Sequence, residues 1–287
     1  MSRPLPHELE AALPRSPEGN LGLWLDRFLP RDPRTWSLTG EQRREALEPF
    51  ARNWRSESAA EALARRTAGM IYLNGRDSLK GDPGDGPLML RFEARQVGRA
   101  VPGLGGGTAT EQGLSLDRLY GAPRLMGSGL KGLARAAAVS EPEDPWSDQA
   151  IHEVFGWGPT EDDDGCAGEV YFLDALPRGG QFSLVLDVLT PHMGPWYREE
   201  VDAPVDWLSP VPVSFLAVQG TTFVFDLVWW PPRRARGDGA DAVGQRIRGA
   251  SLLHLAGQAL AKGLSDLGVG GKTAAGYGYF EFEPTGG

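Results

Sequence analysis

The chain has 287 residues, of which 41% are hydrophobic and 23% charged, and a formal net charge of −9. That length can bury a substantial core in one large domain or two modest ones. The acid excess argues against a free-standing nucleic-acid binder, which is usually basic overall. The longest apolar runs, such as residues 223–230 with Asp226 inside, fall far short of the roughly 18 residues of a membrane span.

The first eight residues lack the apolar stretch of a signal peptide, so the sequence predicts a cytoplasmic protein. A single cysteine, Cys166, excludes an internal disulfide framework and a cysteine-built metal cage. Four scattered histidines (His7, His152, His192, His254) do not suggest a metal site, and no cofactor is expected.

In chain order, residues 1–73 read as a helical extension. Residues 21–28 are apolar-periodic and close before Pro30. Residues 41–68 carry Leu47, Phe50, Ala51, Trp54, Ala62 and Leu63 at helical spacing, with Thr39 as a helix-start residue. Residues 74–87, rich in Gly, Asp and Pro, predict an exposed loop or boundary. The pattern then changes. Residues 88–97 alternate as a half-buried strand, and 98–113 form a glycine-rich loop. Residues 128–140 predict a helix with Leu130, Leu133, Ala134 and Ala137 on one face. Strands are expected at 169–176, 182–189 and 221–230. A helix follows at 249–267, with Gly268 as its left-handed cap, and a strand at 277–283. This order predicts an α+β fold: a ferredoxin-like core over 88–287, with the N-terminal extension packed on it and long inserted loops, as one structural unit.

Charge is unevenly placed. Residues 141–174 hold eleven acids and no lysine or arginine, whereas 121–139 hold three basic residues and no acid. Local field steers a ligand more than the sum does.

Two glycine-spaced basic segments stand out. The first reads Gly121-Ala-Pro-Arg-Leu-Met-Gly-Ser-Gly-Leu-Lys-Gly-Leu-Ala-Arg135. Ser128 is placed to cap the helix, leaving free N–H groups near residues 129–131. Lys131 and Arg135 lie one turn apart on one face, and Arg124 adds charge before it. A lysine in the first turn opposes the helix dipole at a cost of about 0.3 kcal/mol. An anion bound there reverses the sign. A solvated basic face is the alternative reading.

The second segment reads Gly268-Val-Gly-Gly-Lys-Thr-Ala-Ala-Gly-Tyr-Gly-Tyr279. Gly271-Lys272-Thr273 ends like a P-loop, but Asp266 stands where that motif needs glycine, and a helix precedes where a strand should. What remains is a nest of backbone N–H groups beside a lysine, suited to phosphate. A plain helix-to-strand turn explains Gly268 but gives Lys272 no role.

The loop 190–212 presents Trp196, Tyr197 and Trp207 between prolines. These aromatics either stack on bases or seal the core or a subunit contact, and the second reading is favoured. His192 has no partner spaced to make it a general base. Asp162, Asp163 and Asp164 read as a solvated turn rather than a calcium loop. Arg233, Arg234 and Arg236 form a basic loop whose charge suits contact with RNA or with a neighbouring acidic subunit face.

Taken together, these segments are similar to the RAMP superfamily of CRISPR proteins. The resemblance runs through Gly103-Leu-Gly-Gly-Gly-Thr-Ala-Thr-Glu-Gln-Gly113, Leu116-Asp-Arg-Leu-Tyr-Gly-Ala-Pro123 and Leu125-Met-Gly-Ser-Gly-Leu-Lys-Gly132. It continues in Gly168-Glu-Val-Tyr-Phe-Leu-Asp-Ala175, Asp187-Val-Leu-Thr-Pro-His192, Pro212-Val-Ser-Phe-Leu-Ala-Val218 and the C-terminal glycine segment. The order and combination most resemble the sixth-subunit family of type III-B (Cmr) RNA-targeting effector complexes. Met126 stands in place of that superfamily's usual proline and Gly129 in place of its second serine.

The resemblance implies an RRM-like, ferredoxin-like core. It also implies a non-catalytic subunit that holds the 3′ part of the CRISPR RNA and caps the backbone filament. The expected partners are CRISPR RNA, the target RNA paired to it, and other RAMP and small subunits, with no membrane. Ser128, Lys131, Gly271, Lys272, Thr273 and Tyr277 match the superfamily's segments. Arg124 and Arg135 join the expected RNA-binding set on electrostatic grounds. His192, Trp196, Tyr197, Arg233 and Arg234 are candidate RNA or subunit contacts. Two rivals remain at this stage: a metal-independent endoribonuclease using His192 or His152, and a scaffold that meets only protein.

Overall fold

A computed structural model describes residues 17–29, 38, 40–79, 86–104, 113–140, 145–159, 164–191, 193–203, 210–230 and 242–282, with main chain alone at 74–79, 242 and 243. Its helices of eight residues or more are α1 (Gly40–Leu47), α2 (Glu57–Leu79), α3 (Gly127–Val139), α4 (Asp148–Phe155) and α5 (Ala242–Lys262), and a short helical segment, Leu21–Leu23 with Trp24–Phe28, precedes them. Its strands are β1 (Asn53–Arg55), β2 (Leu88–Val97), β3 (Arg99–Ala100), β4 (Gly156–Trp157), β5 (Cys166–Ala167), β6 (Val170–Phe172), β7 (Leu176–Pro177), β8 (Gln181–Leu189), β9 (Val213–Gln219), β10 (Thr222–Trp229) and β11 (Tyr279–Glu281). The fold is α+β with antiparallel pairing throughout. One sheet runs β11-β2-β10-β6 with β7 also beside β10; a second runs β1-β8-β9-β3; β4 and β5 form a short ribbon.

The first sheet is covered on both faces, which is why β10 reads as an almost unbroken apolar run. On the inner face Phe92 stacks on Phe225 at 5.2 Å, and Phe280 meets Phe225 edge-on at 5.8 Å. Helices α3 and α5 pack together over the core beneath them. α5 comes close because it carries glycine at the crossing. A Cβ at Gly249 would lie 2.4 Å from the Trp229 ring, and one at Gly257 2.5 Å from Leu90 Cδ2. Arg248 of α5 pairs with Glu169 at 2.7 Å and Glu153 at 3.3 Å, tying it to the start of β6 and to α4.

The outer face is crossed by α2, whose Ala62 and Leu63 pack on Leu176 and Val224. Beneath it lies the acid of the apolar run. The Asp226 side chain is 0% exposed, a position that costs several kcal/mol unless the charge is paired. Arg91, directly opposite on β2, grips it with two bonds, Nε to Oδ1 at 2.6 Å and Nη2 to Oδ2 at 2.9 Å. Arg66 of α2 adds Nη1 to Oδ2 at 3.4 Å, and Arg91 also donates to Thr67 of α2. The Asp226 bonds raise the Arg91 pKa above its ordinary value.

Several expectations are corrected. The predicted helix 41–68 is interrupted: α1 ends in a 3-10 turn, Glu48–Phe50, and β1 follows it. Pairing with β8 outweighs the helical spacing there, and Trp54 is held by its indole N–H donating to the Phe50 carbonyl at 2.8 Å. α2 starts where Ser56 Oγ accepts from the Ala59 amide at 3.2 Å, and runs to Leu79 through part of the predicted loop. β9 was not expected as a strand, and the strand predicted at 169–176 is split into β6 and β7. α5 begins seven residues early, and a π-turn, Gly263–Leu267, ends it. Gly268 keeps the positive φ that favours glycine, +74°, but its ψ of 158° departs from the left-handed helical cap that was expected. Thr39 lies outside the described residues. Leu21, Trp24, Leu47 and Phe50 belong to the same buried cluster as Phe225 and Phe280. No described helix is long and apolar enough to cross a membrane.

Removing the buried carboxylate is the sharpest test of this arrangement. Asp226→Ala is expected to lower the unfolding free energy by about 3–5 kcal/mol, because two guanidinium groups lose their counter-charge under α2. Urea unfolding of the variant against the parent measures it.

Candidate nucleic-acid interface

The first segment begins with a helix start that is capped from a distance. Met126, not Ser128, is the N-cap residue, and its side chain makes no capping bond. The acceptor is Asp174, in the break between β6 and β7, whose Oδ1 takes the Gly127 N–H at 2.7 Å. A carboxylate there also suits the positive end of the helix dipole. Gly127 is required by closeness: a Cβ would lie 2.1 Å from the Phe172 carbonyl oxygen. Leu125 and Ala175 exchange main-chain bonds at 3.1 and 2.9 Å, which brings α3 in against this edge.

Arg124 belongs to the same cluster. Its Nη1 lies 3.2 Å from Asp174 Oδ2 and 3.7 Å from Asp117 Oδ2. Two carboxylates already share its charge, so its role in the fold is to position the helix start. The outward side of the first turn is different. Ser128, Gly129, Gly132 and Arg135 are exposed, and a Cβ added at either glycine would meet nothing within 4 Å. Lys131 is half-buried between them, and burial pushes its ammonium pKa down. No carboxylate pairs with it among the described residues.

The C-terminal segment forms a tight turn held on both sides. Gly271 donates to the Val101 carbonyl at 2.9 Å, and Gly278 to that of Arg99 at 2.8 Å. A 3-10 turn, Thr273–Ala275, closes with Ala275 donating to Lys272 O and Gly276 to Thr273 O, both at 2.9 Å. The amides of Lys272, Thr273 and Ala274 take no main-chain acceptor among the described residues. Lys272 itself is left-handed, φ +63° and ψ +31°, a conformation costing a non-glycine residue roughly 1 kcal/mol. Tyr277 anchors the turn to the second sheet. Its hydroxyl donates to Asp187 Oδ2 at 2.6 Å, and Arg99 Nη1 lies 2.6 Å from the same oxygen. Burial works against the Asp187 carboxylate, but the bonds from Tyr277 and Arg99 outweigh it and hold its pKa below the usual value. Burial and then the Asp187 bond push the Tyr277 hydroxyl up.

The two segments share a neighbour, the π-turn Gly263–Leu267. Leu133, two residues past Lys131, sits so close that a Cβ at Gly263 would lie 2.8 Å from its Cγ. A Cβ on Gly268, which follows the π-turn, would be 3.2 Å from Thr273 Cγ2. Trp196 and Tyr197 lie on a helical turn, Gly194–Tyr197, and are 37% and 81% exposed. Neither is a core residue, so of the favoured reading, core or subunit contact, the core half is corrected and the subunit contact stays an expectation. His192, Trp207, Arg233, Arg234, Arg236, Asp162 and Asp163 lie outside the described residues. His152 is exposed, its ring 5.1 Å from Trp157. No group of three or more metal-holding side chains occurs among the described residues.

Sequence reasoning missed Asp174, Asp187 and Arg99 as parts of the interface. The signal was present, since Asp174 and Asp187 each sit in a motif segment, but nothing local says what either bonds. The Asp187 network also sets a pH dependence. A carboxylate with a depressed folded pKa contributes stability above its unfolded value, and loses it as pH falls through the folded one. The stability gap between the chain and Asp187→Asn should therefore be full at neutral pH. It should shrink as pH falls through 3.8 and below, which unfolding curves across that range measure.

No protein-family model matches the chain. Among curated proteins, CRISPR system Cmr subunit Cmr6 of Pyrococcus furiosus is 28% identical over 241 residues, covering 63% of this chain and 64% of that one. The chain thus spans somewhat under two thirds of that relative's length. Among solved structures, a chain of the cryo-EM structure of type III-B Cmr-beta bound to cognate target RNA superposes with a TM-score of 0.56 at 19% identity. That match covers 84% of this chain and 71% of the other. The crystal structure of Cmr6 from Pyrococcus furiosus gives 0.41 at 24% identity, covering 69% of this chain and 99% of that one. By sequence, then, the chain is similar to the Cmr6 subunit of the CRISPR Cmr system, and by fold it is similar to a chain of the type III-B Cmr-beta complex.

Proposed function

We propose that the chain is a non-catalytic RNA-binding subunit of a type III-B CRISPR ribonucleoprotein that holds the 3′ part of the CRISPR RNA and caps the backbone filament. One observation carries this reading. Two motif segments over a hundred residues apart flank a single turn, and each presents a lysine that no carboxylate neutralises among the described residues. Three partly buried arginines that tie elements together, Arg66, Arg91 and Arg248, are by contrast paired with carboxylates. At each segment the available groups are an ammonium, small residues and main-chain N–H donors, which is the chemistry of phosphate binding.

The order of the first sheet supports a ferredoxin-like, RRM-like core. Taken along the chain, β2, α3, β6 with β7, β10, α5 and β11 alternate as that fold requires, and β11-β2-β10-β6 is its spatial order. β8 and β9 are then an insertion, and residues 1–73 an extension. The Cmr-beta complex that contains the superposed chain is bound to cognate target RNA. For this chain we take CRISPR RNA, the target RNA paired to it, and other RAMP and small subunits as partners. Phosphate contacts position a strand and carry no base information, so specificity comes from guide–target pairing.

Replacing Lys131 and Lys272 by alanine should weaken retention of single-stranded RNA. The log–log salt slope should flatten by roughly 0.7 unit per lost contact. An unchanged slope in the double variant would sink phosphate binding by the two lysine segments, and metal-free cleavage of repeat RNA by the purified chain would overturn the non-catalytic reading. Lys272→Gly separates binding from folding. It removes the charge but suits the left-handed backbone, so the slope should fall while the thermal midpoint holds or rises.

A further inference from the structure

A cleft of about 570 Å³ opens where the two sheets meet, walled by β1 and β8 on one side and by β2 and the β9–β10 turn on the other. Three of its lining residues are arginines, and none is an acid. They come from distant parts of the chain: Arg55 from β1, Arg95 from β2, and Arg178 from the 3-10 turn after β7. In a chain of net charge −9, this is a local reversal of sign.

The counter-charges of these arginines are weakly committed. Arg55 pairs with Glu57 at 2.7 Å and Arg178 with Glu93 at 2.9 Å, but both guanidinium groups are more than half exposed. Pairs of that kind contribute about 0–1 kcal/mol. Neither glutamate lines the cleft. Arg95 is exposed and makes no ion pair among the described residues, even with Glu281 opposite it on β11. None of the three is needed to hold the fold, in contrast to Arg91, which lies on the same face of β2 two same-face positions from Arg95, beyond Glu93.

The rest of the lining suits a nucleotide strand better than an acidic peptide. Trp54 supplies an aromatic wall that cannot swing away. Its indole N–H is tied to Phe50, its ring stacks on Phe50 at 6.2 Å, and the Arg52 guanidinium sits 4.5 Å over it. Neutral donors and acceptors, among them Gln181 and Thr222, stand in register with Arg55 and Arg95 respectively. A positive groove combined with an aromatic surface is how single-stranded nucleic acid is gripped without sequence preference. An acidic peptide would use the charge alone.

We infer that this cleft is a second RNA site, taking the backbone of a single RNA strand on Arg55, Arg95 and Arg178 beside Trp54. The inference rests on the RNA-binding reading above but uses none of the same residues.

The test is photo-crosslinking of the full chain to a single-stranded RNA carrying photoreactive uridines, with the adducts mapped by peptide. Adducts are expected on the peptides holding Asn53–Arg55 and residues 178–183. The triple variant Arg55→Ala/Arg95→Ala/Arg178→Ala should lose them and flatten the salt slope by roughly 2 units, at about 0.7 per contact. The matching Arg→Lys triple keeps the charges and should keep the slope. All three side chains are exposed, so both triples should melt with the parent; an alanine triple that melts early leaves the lysine triple and the parent adduct map to decide. Adducts confined to residues 124–135 and 268–278 would overturn the cleft and leave the first reading standing. Adducts nowhere would overturn both. Displacement of RNA from the cleft by polyglutamate as effectively as by RNA of equal length would reassign it to an acidic protein partner.

Discussion

The rest of the structure hangs on one buried carboxylate. Asp226 interrupts the most apolar strand of the molecule and is fully shielded from water. Its charge is met by Arg91 from the neighbouring strand and Arg66 from the helix above. Such a group is costly unless every lone pair is used, so sheet and helix must dock in one register. Arg66 then reaches on, donating from Nη1 to the main-chain carbonyl of Asp174 at 2.7 Å. Asp174 in turn caps Gly127 and holds Arg124. A continuous chain of charge-assisted bonds thus runs from the centre of the sheet to the first turn of α3, and the place of Lys131 follows from it.

Much of this was readable from the residues, and what was not has physical reasons. β2, β8, β10 and α3 are legible within a residue or so because their patterns match the surfaces that bury them. β1 was hidden because Phe50 and Trp54 sit at a spacing that suits a helix turn as well as a bend into a short strand. The Ser128 cap was a sound local inference defeated by Asp174, an acceptor 47 residues away. A side chain that distant outcompetes a nearby hydroxyl only because tertiary pairing at Leu125 and Ala175 delivers it. Both basic segments were visible as compositions, but the left-handed Lys272 was not. Nothing in Gly-Gly-Lys-Thr says which residue takes the positive φ.

Charge placement gives the molecule two kinds of cation. Arginines that hold the fold are paired at short range: Arg91 and Arg66 on Asp226, Arg99 on Asp187, Arg248 on Glu169 and Glu153. The cations that face outward, Lys131 and Arg135 on α3, Lys272 in the C-terminal turn, and Arg55, Arg95 and Arg178 in the cleft, carry weak or no carboxylate partners among the described residues. An overall acidic surface around such islands suppresses indiscriminate polyanion binding while leaving local attraction intact.

The helix laid across the outer face has one more effect. RRM domains stack two or three bases on aromatic residues of an open sheet. Here the outer face of the first sheet is roofed by α2 and filled by an ion pair, so its midline offers no ring to a ligand. On the proposed function, an RNA strand would therefore run along the periphery, touching ribose and phosphate more than the letters they carry.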